Sequence, residues 1–186
     1  ACNSSGGCCW VRQGPPGEPA VADVETMRRL AAEAPALGFR RIILTGGEPF
    51  LRGDLDEVVQ ACVEHLPTTL LTNAMLWEGP RRALLERMPR DRVTLQVSLD
   101  SPDTSLHDAH RGAGSWSRAR SGIALARSLG FRVRIAATTR TSEQAEVMRS
   151  FLEAEGSAQE ERLVRPSAQR GEAKAGMPRR GHETRA

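Results

Sequence analysis

Apolar positions along this chain recur with two alternating periods. After a loop rich in glycine and proline (Gly14, Pro15, Pro16, Gly17, Pro19), Val24, Met27, Leu30, Ala31, Ala34 and Leu37 return at helical spacing. Gly38 can close that element, so a helix is predicted over 21–37. Ile42, Ile43 and Leu44 then form a short apolar run within Arg40–Thr45, the pattern of a buried strand, and Gly46 and Gly47 follow at once. Leu55, Val58, Val59, Cys62, Val63 and Leu66 mark one face of a second helix. The alternation repeats, with strands predicted over Thr68–Thr72, Arg92–Ser98, Arg132–Thr138 and near Arg162–Val164. Helices are predicted between them at about 78–87, 116–129 and 142–155, the last with Thr141 and Gln144 spaced as a capping box.

Strands separated by helices of this length imply a parallel sheet, because parallel neighbours need long crossovers. Five strands are legible, too few for a closed eight-stranded barrel. Beyond Pro166 the mixture of glycine, arginine and glutamate has no hydrophobic period, so residues 1–166 are expected to form one domain and 167–186 a basic, disordered tail.

Composition narrows the function classes. The chain has 186 residues, 39% hydrophobic and 26% charged, with a mean hydropathy of −0.41 and no apolar run near the length of a membrane helix. Basic and acidic residues balance through Gly156, and the net charge of +3 arises beyond it. With 4% aromatic residues and no tyrosine, little is available for base stacking, and a nucleic-acid partner is not expected. Neither is a membrane partner. Ala1 is not an initiator methionine and residues 1–20 lack the features of a signal peptide, so a missing upstream segment and a cytoplasmic location are expected. Three of the four cysteines, Cys2, Cys8 and Cys9, crowd into eight positions, which suits metal or cluster ligation better than a disulfide framework. Cys62 sits on the apolar stripe of its helix and reads as core.

Parallel sheets place ligands at the carboxyl ends of their strands. The residues there are Gly46, Gly47, Glu48 and Pro49; Thr72 and Asn73; Ser98, Leu99 and Asp100; Thr138 and Thr139. In Thr45-Gly46-Gly47-Glu48-Pro49 two glycines permit close backbone approach, one carboxylate stands at a strand mouth, and a proline stiffens the exit. Such a loop suits a cationic amine; it would equally make a tight strand-to-helix turn with a solvated Glu48.

GGEPFLRGDL, with LLTNAML and then VSLDSPDTSLHDAHRGAGSW downstream, resembles the radical S-adenosylmethionine (radical SAM) superfamily in order and spacing. Leu163-Val164-Arg165-Pro166 and Arg170-Gly171 are similar to the barrel exit of its peptide- and cofactor-maturing branch. The resemblance implies a partial parallel (β/α) barrel of five to six strands, whose first strand would precede Cys2. It also implies a 4Fe-4S cluster on three cysteines, with one iron open to chelate S-adenosylmethionine. One-electron cleavage of the sulfonium then yields a carbon radical that takes hydrogen from the substrate. A peptide or small-molecule substrate and an electron donor such as a flavodoxin or ferredoxin would be its partners.

Carried onto this sequence, the motif places Cys2, Cys9 and the aromatic Trp10 in position, but Gly6 stands where the middle cysteine belongs and cannot ligate. Either Cys8 supplies the third thiolate, or the loop holds no stable cluster. By the same resemblance Gly46, Gly47 and Glu48 would meet the amino group of S-adenosylmethionine, with Pro49 shaping the loop. Thr72 and Asn73 would line the pocket, Ser98 and Asp100 would face the ribose or carboxylate end, and Arg111 would pair with the carboxylate. Arg111 could instead form a surface ion pair with Asp103 or Asp108, and Ser98 or Asp100 a helix cap. His107 and His110 read as exposed loop histidines. A catalytically degenerate binding module is the second reading, and a generic α/β nucleotide-binding domain the third, although no GxGxxG or P-loop pattern supports it.

Overall fold

The computed structural model describes residues 21–166. Five strands, β1 (Ile42–Leu44), β2 (Thr68–Thr72), β3 (Val93–Ser98), β4 (Arg132–Thr139) and β5 (Arg162–Pro166), pair in the order of the sequence and all in parallel. The helices are α1 (Val24–Glu33), α2 (Leu55–Val63), α3 (Gly79–Arg87), α4 (Thr104–Arg111), α5 (Ser115–Ser128) and α6 (Ser142–Ala154). Because right-handed crossovers that never reverse direction lay every helix on one side, such a sheet is an arc of barrel wall. A doubly wound nucleotide-binding sheet would reverse its strand order at a switch point, and this one does not.

Strand alternation sorts the residues into two faces. Leu70, Val93, Leu95, Val97, Val133, Ile135 and Ala137 are buried on the helix side, where Val59, Leu85, Ile123, Met148 and Leu152 meet them in one core. The other face, concave in a barrel, carries Thr94, Gln96 and Ser98 of β3 and Arg132, Arg134, Ala136 and Thr138 of β4.

Three expectations need correction. The first helix ends at Glu33 rather than 37, since Pro35 cannot continue it, and Gly38 closes the following turn at φ 81°. Of its apolar stripe only Ala31 is buried, while Leu30 and Leu37 are exposed, because α1 packs chiefly on α2. Ile43 is exposed rather than buried: β1 is an edge strand among the described residues, and Ile43 points away from the helices. Lastly, 104–111 is a helix and not a loop. Asp103 caps it by accepting from the Leu106 amide, and Gly112 ends it at φ 104°.

Candidate active site at the strand mouths

Two clusters of polar residues stand at the carboxyl ends of the strands. In the first, the chain leaves β1 through Gly46 and Gly47, and Glu48 becomes the N-cap of a 3₁₀ turn, Pro49–Leu51, with Pro49 at its first position. The Glu48 side chain accepts from the Phe50 amide at 3.2 Å, from the Thr72 hydroxyl at 2.8 Å and from the Asn73 amide at 2.8 Å. Thr72 Oγ1 in turn accepts from the Ala74 amide, so the loop after β2 folds down upon the carboxylate. Glu48 is 5% exposed, and burial raises its carboxyl above the usual range against the pull of these three hydrogen bonds and of the Arg111 charge. Glu48 is thus no solvated turn residue.

The second cluster centres on Asp100, one residue past Leu99 at the end of β3. Its carboxylate accepts from Arg111 Nε at 2.7 Å and Nη2 at 3.2 Å, and from the Thr138 amide at 3.1 Å. Burial works against the charge of Asp100, but the guanidinium, with the Thr138 amide, outweighs it and holds the carboxyl below its ordinary value. Arg111 therefore pairs with Asp100, not with Asp103 or Asp108, and Asp100 is not a helix cap. Asp108 instead accepts from the Gly114 and Trp116 amides and the Ser115 hydroxyl, satisfying the start of α5. The Arg111 charge also acts weakly on Glu48, the smallest of the influences on that carboxyl.

His107 corrects the loop reading. It is fully buried on α4, one helical turn before Arg111, and its Nδ1 accepts from the Asp100 amide at 3.2 Å. That bond assigns the ring proton to Nε2 and requires a neutral ring. Burial, reinforced by Arg111, lowers the His107 pKa accordingly. One helix thus holds both the backbone and the side chain of Asp100. An i, i+4 pair behind the Asp103 cap was the available sequence signal.

A second residue that sequence reasoning passed over is Gly122 of α5. A Cβ there would lie 2.2 Å from the Ala74 carbonyl oxygen, so the helix backbone directly abuts the loop that covers Glu48. Ala74 itself has φ 59°, a left-handed conformation that this contact and the Thr72 bond hold in place.

The described mouth presents a carboxylate acceptor and exposed backbone side by side. Three of the roughly four acceptor directions of Glu48 are filled, leaving one on Oε2 for an ammonium. At Gly46, with φ 154°, no atom of the described residues lies within 4 Å of where a side chain would begin, so among them the backbone is open to a ligand. Ser98 is half-buried on the concave face at the end of β3. Cys2, Gly6, Cys8, Cys9 and Trp10, and the expected tail at 167–186, lie outside the described residues. Among the described residues no cluster of histidine, cysteine or carboxylate side chains could hold a metal. Cys62 is buried in α2, its thiol pushed up to about 11 by burial, which makes it core and not a ligand. No helix of the described residues is long and apolar enough to cross a membrane.

The sequence profile of the radical SAM superfamily matches residues 1–146. A GTP 3',8-cyclase of Stenotrophomonas maltophilia (strain K279a) is 38% identical over 119 residues, covering 61% of this chain and 35% of that protein. An AdoMet-dependent heme synthase of Nitratidesulfovibrio vulgaris is 31% identical over 129 residues, 64% of this chain and 33% of that protein. The chain spans about a third of the length of these curated relatives. Among solved structures, Streptococcus suis SuiB bound to precursor peptide SuiA superposes with a TM-score of 0.72 at 22% identity, over 90% of this chain and 37% of that one. Native anSMEcpe with bound AdoMet gives 0.70 at 16% identity, over 90% and 49%. At these identities the likeness is one of fold.

Proposed function

This chain belongs to the radical SAM superfamily, and from that premise we propose that it is the S-adenosylmethionine-binding partial barrel of an enzyme that starts radical modification of a peptide or cofactor precursor. The observation that carries this reading is the buried Glu48 carboxylate beside the Gly46 backbone, at the same strand ends as the Asp100–Arg111 pair. Glu48 binds the ligand's ammonium. Thr72 and the Asn73 amide fix the carboxylate so that its free acceptor direction faces the mouth. Asp100 is placed to accept from a ribose hydroxyl, while Arg111, held by Asp100, is the cation that meets the ligand carboxylate. His107 keeps the Asp100 backbone in register for both. S-adenosylmethionine and a 4Fe-4S cluster together supply one-electron cleavage of a sulfonium and hence a carbon radical for hydrogen abstraction. A flavodoxin or ferredoxin would supply the electron. The substrate class follows the relatives, whose names include a GTP cyclase and a heme synthase, and a structural neighbour bound to a precursor peptide.

Calorimetry tests the reading. Parent protein is expected to bind S-adenosylmethionine, and Glu48→Ala and Arg111→Ala to weaken it by about tenfold or more each, the loss of a charge-assisted hydrogen bond. Affinity should rise with pH through the Glu48 titration, because only the carboxylate pairs with the ammonium and burial has raised its pKa in the free protein. Absence of binding in a folded parent, or equal binding by all three proteins, removes the assignment.

One sequence observation favours a second reading, a binding module without chemistry: Gly6 occupies the middle cysteine position. Anaerobic reconstitution with iron and sulfide is expected to give substoichiometric cluster, and Gly6→Cys to raise it. About four irons per parent chain, lost in Cys8→Ala, would instead establish a Cys2, Cys8, Cys9 ligand set.

A further inference from the structure

Helix α4, which carries Arg111, is fastened in an unusual way. A helix on a protein surface is ordinarily held by a stripe of several apolar side chains. Helix α4 packs on α5 and only sparsely on the sheet, and of its eight residues His107 alone is buried. That single anchor is an imidazole, 0% exposed, whose Nδ1 accepts from the Asp100 amide while its Nε2–H has no acceptor among the described residues. The second tie between helix and mouth is the Arg111 fork on the Asp100 carboxylate. Both ties therefore end on one residue. Gly112 at φ 104° and Gly114 at φ 71° follow the helix, a pair of glycines at which the backbone can swing.

The bond at Nδ1 exists only for the neutral ring. A proton added there faces the Asp100 N–H, so an acceptor is lost, two donors meet, and the buried ring carries a charge. The groups around it do not remove this conflict. Arg111 and His110 of α4 oppose a charge on the ring, Asp100 at the end of β3 and Asp108 of α4 favour one, and burial tips the balance and lowers its pKa. Both carboxylates are engaged elsewhere, Asp100 by Arg111 and the Thr138 amide, Asp108 by the start of α5. The first charged residues of α5, Arg118 and Arg120, are bound to the Ala113 carbonyl and to Glu155. We infer that α4 is a proton-sensitive latch: the neutral His107 ring fastens the helix to the Asp100 backbone, and protonation of the ring releases the helix, draws Arg111 away from the mouth and lowers the affinity for S-adenosylmethionine. The released ring has the ordinary histidine pKa of about 6.5, and the latched ring a lower one. The latch is thus at full strength above the first value and weakens as pH falls from there toward the second. The inference deepens the proposed function and rests on it only for the identity of the ligand.

The test follows the ligand-free full chain by NMR from neutral to mildly acidic pH. At neutral pH the His107 ring is expected as the Nε2–H tautomer. On acidification its signals, the Asp100 amide and the Arg111 Nε–H should change together, with one midpoint below the ordinary histidine range. An amide and a guanidinium that stay still while His107 titrates overturn the latch. Calorimetry with S-adenosylmethionine supplies a second readout. Acid also weakens binding through Glu48, so His107→Asn is the comparison: its Oδ1 takes the place of Nδ1 as acceptor and does not titrate. Parent affinity should fall more steeply than that of His107→Asn, by an extra factor approaching tenfold per pH unit, the signature of one further proton. At neutral pH His107→Asn should bind more tightly than His107→Phe, which fills the space without an acceptor. His65→Asn, at an exposed histidine past the end of α2, should keep the parent's pH profile. Equal slopes in parent and His107→Asn overturn the latch, and if that variant does not fold, the NMR titration of the parent decides. Concerted movement of ring, amide and guanidinium without S-adenosylmethionine binding removes the proposed function and keeps the latch; binding with a stationary amide removes the latch alone.

Discussion

Replacing Gly122 with alanine is expected to destabilise the fold by about 3 kcal/mol, at the upper end of what one added methyl group costs in a packed interior. The new Cβ would begin 2.2 Å from the Ala74 carbonyl and 2.8 Å from the Ala74 Cβ, and both belong to a tight loop rather than to the end of a flexible chain. The loop can only move away from α5. Moving it breaks the bonds from the Thr72 hydroxyl and the Asn73 amide to Glu48, so the same variant should lose ligand binding out of proportion to its remaining folded fraction. Urea denaturation gives the first quantity and calorimetry on the folded protein the second. A variant within about 1 kcal/mol of the parent would mean that the helix and loop separate without strain, and that Gly122 does not set the position of the Glu48 cover.

The second large effect is expected at Arg111. Arg111→Ala leaves the Asp100 carboxylate, 4% exposed, without its counter-charge, and breaking a buried pair by removing one partner costs about 3 to 5 kcal/mol. The pH dependence should also change sign. In the parent, the Asp100 pKa is lowered, so its contribution to stability is present above the unfolded-state pKa and is lost as pH falls through the folded-state pKa. In Arg111→Ala the burial that opposes the charge is no longer outweighed, the folded-state pKa rises, and acidification should recover part of the lost stability. Thermal denaturation of both proteins between neutral and mildly acidic pH reads this directly. Parallel curves would show that the pair is solvated in solution and contributes little. Arg111→Lys should recover less than a charge-only account requires, because an ammonium cannot reproduce the two-pronged contact with Oδ1 and Oδ2.

Gly122 acts through the loop after β2 and the shape of the Glu48 site, Arg111 through its pair with Asp100 and through its charge on Glu48. Because both reach Glu48, their effects are expected to couple rather than simply add.

The sequence by itself determined the succession of elements and the places where chemistry could sit. Periods of two and of 3.6 are local properties, so the strands at Thr68–Thr72 and Val93–Ser98 and the helix around 142–155 were legible from spacing alone. The same alternation implied parallel strands and put Glu48, Thr72, Asn73, Asp100 and Thr138 at one edge of the sheet. Helix α4 was missed because its polar surface hides a single buried residue, His107, behind a stretch that reads as loop.

Only the tertiary structure decided partners and faces. Asp100 meets Arg111 eleven residues away and Thr138 thirty-eight away, and the nearer charges Asp103 and Asp108 are taken by helix starts. Whether Arg134 faces a helix or the concave side depends on register and on which side the crossovers lie, neither of which is encoded in its own neighbourhood. Gly122 reads in the sequence like any small helical residue, and only the fold sets a loop from a different strand against it. A local pattern fixes the side of an element on which a side chain stands; what covers that side, and whether a buried charge finds its counter-charge, depends on contacts between segments far apart in the chain.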